Sequence, residues 1–163
     1  MARRGALTVE VTVSSFSSYV AFLEGYARAV IAGEAKPGSE PSWLRGAIRS
    51  VRAELRHEPG AASPRVSFPT ARSDREISAL AQEVFALPAR LAEARGRRVA
   101  VALDEFQAVA GFDGGSVEHA LRAAVQHQRE VGYVFAGSEP SLMERMLGPR
   151  RPFYKAGPVM RLE

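Results

Sequence analysis

Apolar residues form strand-like stretches at three places in the chain. From Leu7 to Val13, apolar and polar side chains alternate, which is the two-residue period of a half-buried β-strand. Val99 to Leu103 and Tyr133 to Ala136 are uninterrupted apolar runs, and the first of them is followed at once by two acids, Asp104 and Glu105. Runs of this kind are typical of strands buried on both faces of a parallel sheet.

Between these stretches, apolar residues recur at intervals of three and four, which predicts amphipathic helices. The predicted helices cover residues 19–31, 42–55, 74–85, 116–125 and 141–147. Ser42, Asp74 and Ser116 are predicted N-caps, and Pro88 is expected to interrupt the third helix, which resumes up to Gly96. The remaining predictions are loops at 33–41 and 111–115 and short extended pieces at 65–68 and 159–162.

The predicted elements follow one another as strand, helices, strand, helix, strand, short helix and strand. Alternation of this kind favours an α/β fold, a three-layer sandwich in which helices cover both faces of a mainly parallel sheet. The 163 residues suffice for one domain with its own hydrophobic core. We therefore predict a single domain over residues 1–163 and no second domain.

The composition excludes several classes of site. The chain has no cysteine, so it forms no disulfide and offers no thiolate ligand to a metal. No apolar run approaches the roughly 20 residues that a membrane-spanning helix needs, and we expect no membrane partner. Absence of cysteine fits a reducing compartment, and the predicted location is the cytoplasm.

Arginine dominates a formal net charge of +4. Arg45, Arg49, Arg52 and Arg56 share a helical spacing within the predicted helix at 42–55, where they form a stripe beside its apolar side. Such a row can follow a nucleic-acid backbone. More often such a row is an ordinary solvated helix face, and nucleic-acid binding stays open as the alternative.

Asp104 and Glu105 are the first candidates for chemistry, because side chains at the carboxyl end of a parallel strand lie at the sheet edge where ligands bind. One carboxylate can hold Mg²⁺ while its neighbour orients or deprotonates an attacking water. Adjacent residues on a strand point in opposite directions, which suits two separate roles. Acids also end many strands only because loops are solvated, so the pair alone does not decide between a site and a loop.

Further polar positions follow the next buried strand. Ser138 ends that strand, where its hydroxyl would reach a terminal phosphate or the attacking water, and the same spacing suits an N-cap ahead of Pro140. Arg150 and Arg151 follow the short helix and are placed to reach a transferring phosphoryl group, in the same subunit or the next. The alternative for these arginines is an ordinary solvated pair.

Three ordered segments together resemble one protein family. They are Val101 to Gln107, Phe135 to Met143 and Arg150 to Tyr154. Each is similar to a segment of the prokaryotic AAA+-type P-loop ATPases, close to the archaeal ATPase group. The resemblance implies a P-loop NTPase core that hydrolyses ATP with Mg²⁺.

The same resemblance implies a role for each candidate residue. Asp104 and Glu105 would be the Walker B pair, with Asp104 toward Mg²⁺ and Glu105 toward the hydrolytic water. Ser138 would be the sensor at the end of the next strand. Arg150 or Arg151 would be the arginine finger.

The phosphate-binding segment of that family has no counterpart in this sequence. Its motif, Gly-x-x-x-x-Gly-Lys-Ser/Thr, holds the phosphates with backbone amides and a lysine. Here Lys36 precedes Pro37 and Lys155 precedes Ala156. We therefore expect a partial AAA+-like core, from the family's second strand through the post-sensor strand, that lacks the Walker A segment and ends before any lid region.

This departure has consequences for activity and assembly. Without those amides and that lysine, the chain alone should bind ATP weakly and hydrolyse it negligibly until the missing segment is supplied. Unpaired strand edges beside a missing central strand predict self-association. The alternatives are a non-catalytic binding or oligomerisation module and a nucleic-acid-binding protein that uses the arginine-bearing helix.

Overall fold

Strands and helices alternate along the residues that the computed structural model describes, which are 5–32, 42–51, 53–56, 59–60, 64–69, 73–112 and 116–161. The strands are β1 (Leu7–Thr12), β2 (Glu54–Arg56), β3 (Arg65–Ser67), β4 (Val99–Asp104) and β5 (Val131–Phe135). The helices are α1 (Tyr19–Ala32), α2 (Ser42–Val51), α3 (Asp74–Phe85), α4 (Leu87–Arg95), α5 (Ser116–His127) and α6 (Pro140–Met146). Short 3₁₀ helices, Val13–Ser15 and Phe106–Gly111, follow β1 and β4.

The main sheet is parallel and has the strand order β1-β4-β5. Its central strand, β4, is the apolar run that ends in acids, and Val101 lies in register with Val9 on one side and Tyr133 on the other. Parallel neighbours require crossover connections, and helices supply them here. The predicted α/β fold with a mainly parallel sheet is confirmed.

Helices cover one face of this sheet. In-register residues of parallel strands share a face, and Val9, Val11, Val101 and Leu103 on this face are each at most 6% exposed. Helix α1 packs on β1, α4 packs on β4 and β5, and α5 packs on β5. The hydrophobic core lies between these helices and the sheet.

The opposite face of the sheet is open among the described residues. It is lined by Thr8 and Glu10 of β1, the small Ala100 and Ala102 of β4, and Val134 of β5, and Val134 is 60% exposed. The main sheet and the helices packed on it therefore form two layers, and the helix layer that we predicted on the second face is not among the described residues. Parallel sheets are normally covered on both faces, so this open face is a feature to explain.

The second predicted helix is shorter than expected. Helix α2 ends at Val51, and Leu55 lies in β2, antiparallel to β3 and opposite Val66. The cross-strand pair with Val66, which is 4% exposed, packs the partly buried Leu55 against the core, so tertiary packing overrides the helical spacing. The predicted extended piece at 65–68 is confirmed as β3.

The start of α3 is fixed by a serine instead of the predicted Asp74. Ser73 Oγ accepts a hydrogen bond from the Glu76 N–H at 3.3 Å, and Glu76 Oε2 accepts one from the Ser73 N–H at 2.9 Å. This reciprocal pair is a capping box, which satisfies two amides that the helix cannot. The helix is interrupted before Pro88, as predicted: α3 ends at Phe85, and Pro88 lies in the first turn of α4. Helix α4 ends at the left-handed Gly96 (φ 58°), also as predicted.

Several predictions concern the ends and loops of the chain. Residues 159–161 form no strand, and Val159 and Met160 are 67% and 83% exposed, so the predicted last strand is absent from that stretch. The predicted loop at 33–41 and residues 113–115 lie outside the described residues, as does Arg52. Within the described part of the chain, no helix combines the length and apolar character needed to cross a membrane.

Candidate functional site

The acidic pair lies at the end of the central strand, as predicted. Asp104 is the last residue of β4, is exposed, and stands in register with Thr12 on the open face. Glu105 is no longer on the strand: its backbone is left-handed (φ 51°, ψ 42°), and its N–H donates to Asp104 Oδ1 at 3.0 Å. The expectation that the two acids alternate along one strand is therefore wrong, because the strand ends between them.

The carboxylate of Glu105 is held by two side chains. Ser138 Oγ donates to Glu105 Oε2 at 2.8 Å, and Gln107 Nε2 donates to the same oxygen. Both bonds favour the ionised form, so the Ser138 hydroxyl first, and then the Gln107 amide, lower the pKa of Glu105. The left-handed backbone of a non-glycine residue costs roughly 1–2 kcal/mol, which the surrounding contacts must offset.

Backbone pairing beyond the strands brings Ser138 to the acids. The Ala136 N–H donates to Leu103 O, and the Phe106 N–H donates to Ala136 O, each at 2.9 Å. The N-cap of α6 is Glu139, which makes no side-chain cap bond. The alternative interpretation of Ser138 as the cap is therefore wrong, and its hydroxyl is directed to Glu105 instead.

Gln107 and Gly137 belong to this site and were missed in the sequence. Gln107 is 7% exposed, and its Oε1 is buried without a hydrogen-bond partner among the described residues. A Cβ on Gly137 would lie 2.3 Å from that oxygen, so only glycine leaves room for the glutamine. No periodicity marks either residue, and their positions beside Glu105 and Ser138 were the only signal.

Three phenylalanines, Phe106, Phe135 and Phe153, pack together beneath the site and form what we call the phenylalanine cluster. Their ring centroids lie 4.5 Å apart for Phe106–Phe135, 5.3 Å for Phe106–Phe153 and 4.9 Å for Phe135–Phe153. One ring follows Glu105, one precedes Ser138 by three residues, and one follows Arg151 by two. The cluster thus joins the three segments that carry the predicted site residues.

The two candidate arginines have different surroundings. Arg151 pairs through Nη2 with Oε1 of Glu118, a residue of α5 whose side chain is 1% exposed. Arg150 is exposed and has a left-handed backbone (φ 69°). No hydrogen bond or ion pair joins either guanidinium to Asp104, Glu105 or Ser138 among the described residues. Glu118 was also missed, although its spacing with Leu121 and Val125 places it on the apolar side of α5.

We expect Ser138→Ala to raise the pKa of Glu105 toward its ordinary value of 4.5, because the largest contribution to the lowered value is lost. In the wild type the folded-state pKa is depressed, so the stability that ionised Glu105 contributes is present above about pH 4.5 and is lost as the pH falls through the lower value. A ¹³C NMR titration of the Glu105 carboxylate measures this midpoint. Ser141→Ala, at an exposed position of α6, is the matched control, and equal midpoints in both variants would contradict the prediction.

The residues at the end of β4 fit a magnesium ion that is mostly held by water and phosphate. No cluster of three or more histidine, aspartate or glutamate side chains suited to a metal occurs in the described ranges. Asp104 is nevertheless exposed, and the hydrogen bond that it accepts from the Glu105 N–H uses Oδ1, so Oδ2 can bind a cation. Mg²⁺ usually takes one or two carboxylates together with waters and substrate phosphates.

The predicted arginine stripe does not continue along one helix. Arg45 and Arg49 are exposed on α2, but Arg56 lies in β2, where its Nη2 is 3.7 Å from Glu54 Oε2. The end of α2 at Val51 separates Arg56 from the helical row. Arg56 therefore does not extend the helical row of Arg45 and Arg49, as the predicted stripe requires.

Comparisons with known proteins support the fold. No family model matches the chain, and no curated protein matches it. Among solved structures, a Walker-type ATPase of Pyrococcus abyssi is similar, with a TM-score of 0.52 and 15% sequence identity over 91% of this chain. This chain spans 39% of the length of that protein. At this identity the similarity shows the fold alone: the chain has a P-loop ATPase-like α/β fold.

Proposed function

We propose that this chain contributes the acidic half of an ATP-hydrolysing site of the AAA+ type. The observation that carries the proposal is the hydrogen bond from Ser138 to Glu105, which joins the ends of two neighbouring parallel strands at 2.8 Å. In this proposal Asp104 binds Mg²⁺, Glu105 acts on the hydrolytic water, and Ser138 senses the state of the terminal phosphate. The resemblance of the segments around these residues and the P-loop ATPase-like fold both support it.

The chemistry assigned to each side chain follows from its bonds. Mg²⁺, when bound, would neutralise charge on the phosphates during transfer. Glu105 is ionised at neutral pH, since its ordinary pKa of 4.5 is already far below 7 and its hydrogen bonds lower it further, so its carboxylate can accept a hydrogen bond from water and orient it. Its two side-chain partners both use Oε2, so neither of these side chains occupies Oε1, which we propose as the oxygen that faces the water.

The proposal requires a phosphate-binding segment, since the sequence has no Gly-x-x-x-x-Gly-Lys-Ser/Thr motif. The open face of the sheet adjoins Asp104 through the register of Thr12 with that residue. We infer that a segment bearing the phosphate-binding loop packs on this face and completes the site. Ala100 and Ala102 would allow the backbone of such a segment to approach closely.

We expect the chain alone to bind Mg²⁺·ATP only in the millimolar range, near 4 kcal/mol of binding free energy, with no measurable hydrolysis. NMR titration of the full chain with Mg²⁺·ATP should shift the signals of Asp104 and Ser138, and Asp104→Asn should abolish those shifts. Asp74→Asn, an exposed acid on α3, is the control. Shifts that are unaffected by Asp104→Asn, or absent from this edge, would refute the proposed function.

A second candidate function, self-association, is favoured by the open face and by Val134, which is 60% exposed there. If copies of the chain pair through this face, Val134→Lys should abolish the dimer, because it places a charge within the buried interface. Sedimentation velocity measures the change. Val159→Lys, equally exposed but outside the sheet, should leave assembly unchanged, and a wild-type chain that remains monomeric at all concentrations would exclude this function.

A further inference from the structure

Glu118 is a charged residue in the hydrophobic core. It lies in the first turn of α5 between Val117 and Leu121, both of which are fully buried, and its side chain is 1% exposed. One carboxylate oxygen is paired with Arg151, while Oε2 is buried without a partner in the described part of the chain. Burying a carboxylate costs free energy unless the charge is paired, so the pairing of Glu118 with Arg151 must offset the loss of its contact with water.

Arg151 connects this buried carboxylate to a turn. Its N–H donates to Gly148 O at 3.2 Å, and its carbonyl accepts from the Tyr154 N–H at 3.1 Å. Two residues later, Phe153 is 1% exposed within the phenylalanine cluster. The turn is therefore held at both the Arg151 guanidinium and the Phe153 ring, and Arg150 projects from it at an exposed, left-handed position.

We propose that Glu118 is a positioning residue: it holds Arg151 in the protein and so presents Arg150 as the arginine that contacts phosphate. The claim that Arg150 contacts phosphate rests on the proposed function, whereas the claim that Glu118 fixes the Arg151 side chain does not. The pairing keeps the Arg151 guanidinium from contacting a bound phosphate, because its departure would leave the buried charge of Glu118 unpaired. Arg150 has no such restraint among the described residues, and its strained backbone is what a site residue tolerates.

Removal of the two partners should have unequal effects. Arg151→Gln leaves a buried carboxylate unpaired and should lower the folding equilibrium constant at neutral pH on the order of 100-fold or more. Glu118→Gln leaves an arginine that is 42% exposed and can remain solvated, so a loss of less than about tenfold is expected. The double variant Glu118→Gln/Arg151→Gln should recover most of the loss seen in Arg151→Gln.

Urea denaturation at several pH values tests this pairing. Two charged groups act on Glu118: the Arg151 guanidinium and the side chain of His119, the residue that follows Glu118. Without Arg151, the folded-state pKa of Glu118 rises further above the unfolded value, so Arg151→Gln should match the wild type near pH 4.5 and lose stability as the pH rises. The exposed pair Glu144–Arg161 is the control, and Arg161→Gln should cost less than about fivefold at any pH. An Arg151→Gln loss no larger than the control's would overturn the proposed hold.

Arginine side-chain NMR of the full chain tests the consequence for Arg150. In millimolar Mg²⁺·ATP, the Arg150 Nε signal should shift while that of Arg151 should not, and Glu118→Gln should reduce the Arg150 shift several-fold in a protein whose other signals are unchanged. A shift at Arg151 instead, or an Arg150 shift that survives in Glu118→Gln, would overturn the positioning role. If the signals of Asp104 and Ser138 also do not shift with Mg²⁺·ATP, the proposed function is wrong. The pairing of Glu118 with Arg151, which urea denaturation tests, does not depend on that outcome.

Discussion

Phe106→Ala should destabilise the protein by about 3–5 kcal/mol and should also loosen the candidate site. Phe106 is fully buried, and its ring contacts both other members of the phenylalanine cluster. Truncation leaves a cavity below the point where Glu105 leaves the strand, and the surrounding rings can fill it only in part. Since domains of this size are usually stable by about 5–15 kcal/mol, the variant should still fold.

The effect on the site distinguishes Phe106 from an ordinary core residue. Phe85→Ala, on α3, removes an equally buried ring that packs against Phe22 and Tyr26, and its cost in stability should be similar. Only Phe106→Ala should raise the pKa of Glu105 toward 4.5, because only this ring supports the backbone that carries the carboxylate. Urea denaturation and the ¹³C titration of Glu105 measure the two effects, and equal Glu105 midpoints in both variants would contradict this account.

The elements with strong local patterns could be predicted from the sequence. The alternation from Leu7 to Val13 and the apolar run from Val99 to Leu103 were correctly predicted as strands, because a two-residue period is specific to strands, and the short length of the run between Gly96 and the acids favours a buried strand over a helix. Pro88 and Gly96 likewise act through their own backbone constraints. The proximity of Ser138 to Glu105 could also be anticipated, since parallel strands end at the same edge.

Other features depended on contacts that local patterns do not contain. Leu55 fits a helical spacing, yet it lies in β2 and pairs with Val66 of β3, a residue outside the local pattern that predicted the helix. The open face of the sheet could not be predicted, because Ala100 and Ala102 look the same in sequence whether or not a layer covers them. Glu118 was missed for a related reason: a charge among apolar residues shows its meaning only when its partner, Arg151, is placed beside it.

Gly137→Ala should destabilise the protein by about 1–3 kcal/mol and remove the Gln107 contact with Glu105. The added Cβ would lie 2.3 Å from Gln107 Oε1 and 2.9 Å from Met143 Cγ and Sδ. Gln107 is buried, so the clash forces its side chain to shift, and we expect its amide to leave the carboxylate. The pKa of Glu105 should then rise, because one of the hydrogen bonds that favour its ionised form is lost.

Two further variants show whether the steric contact with Gln107 is the cause. Gly132→Ala, on the open face of β5, meets nothing within 4 Å and should be neutral or slightly stabilising. In Gln107→Ala the obstructing oxygen is gone, so adding Gly137→Ala should cost less than the sum of the two single variants. Strictly additive costs, or an unchanged Glu105 midpoint in Gly137→Ala, would show that the glycine serves only the packing of Met143. Otherwise Gly137 is required because the glutamine beside it orients the carboxylate on which the proposed hydrolysis depends.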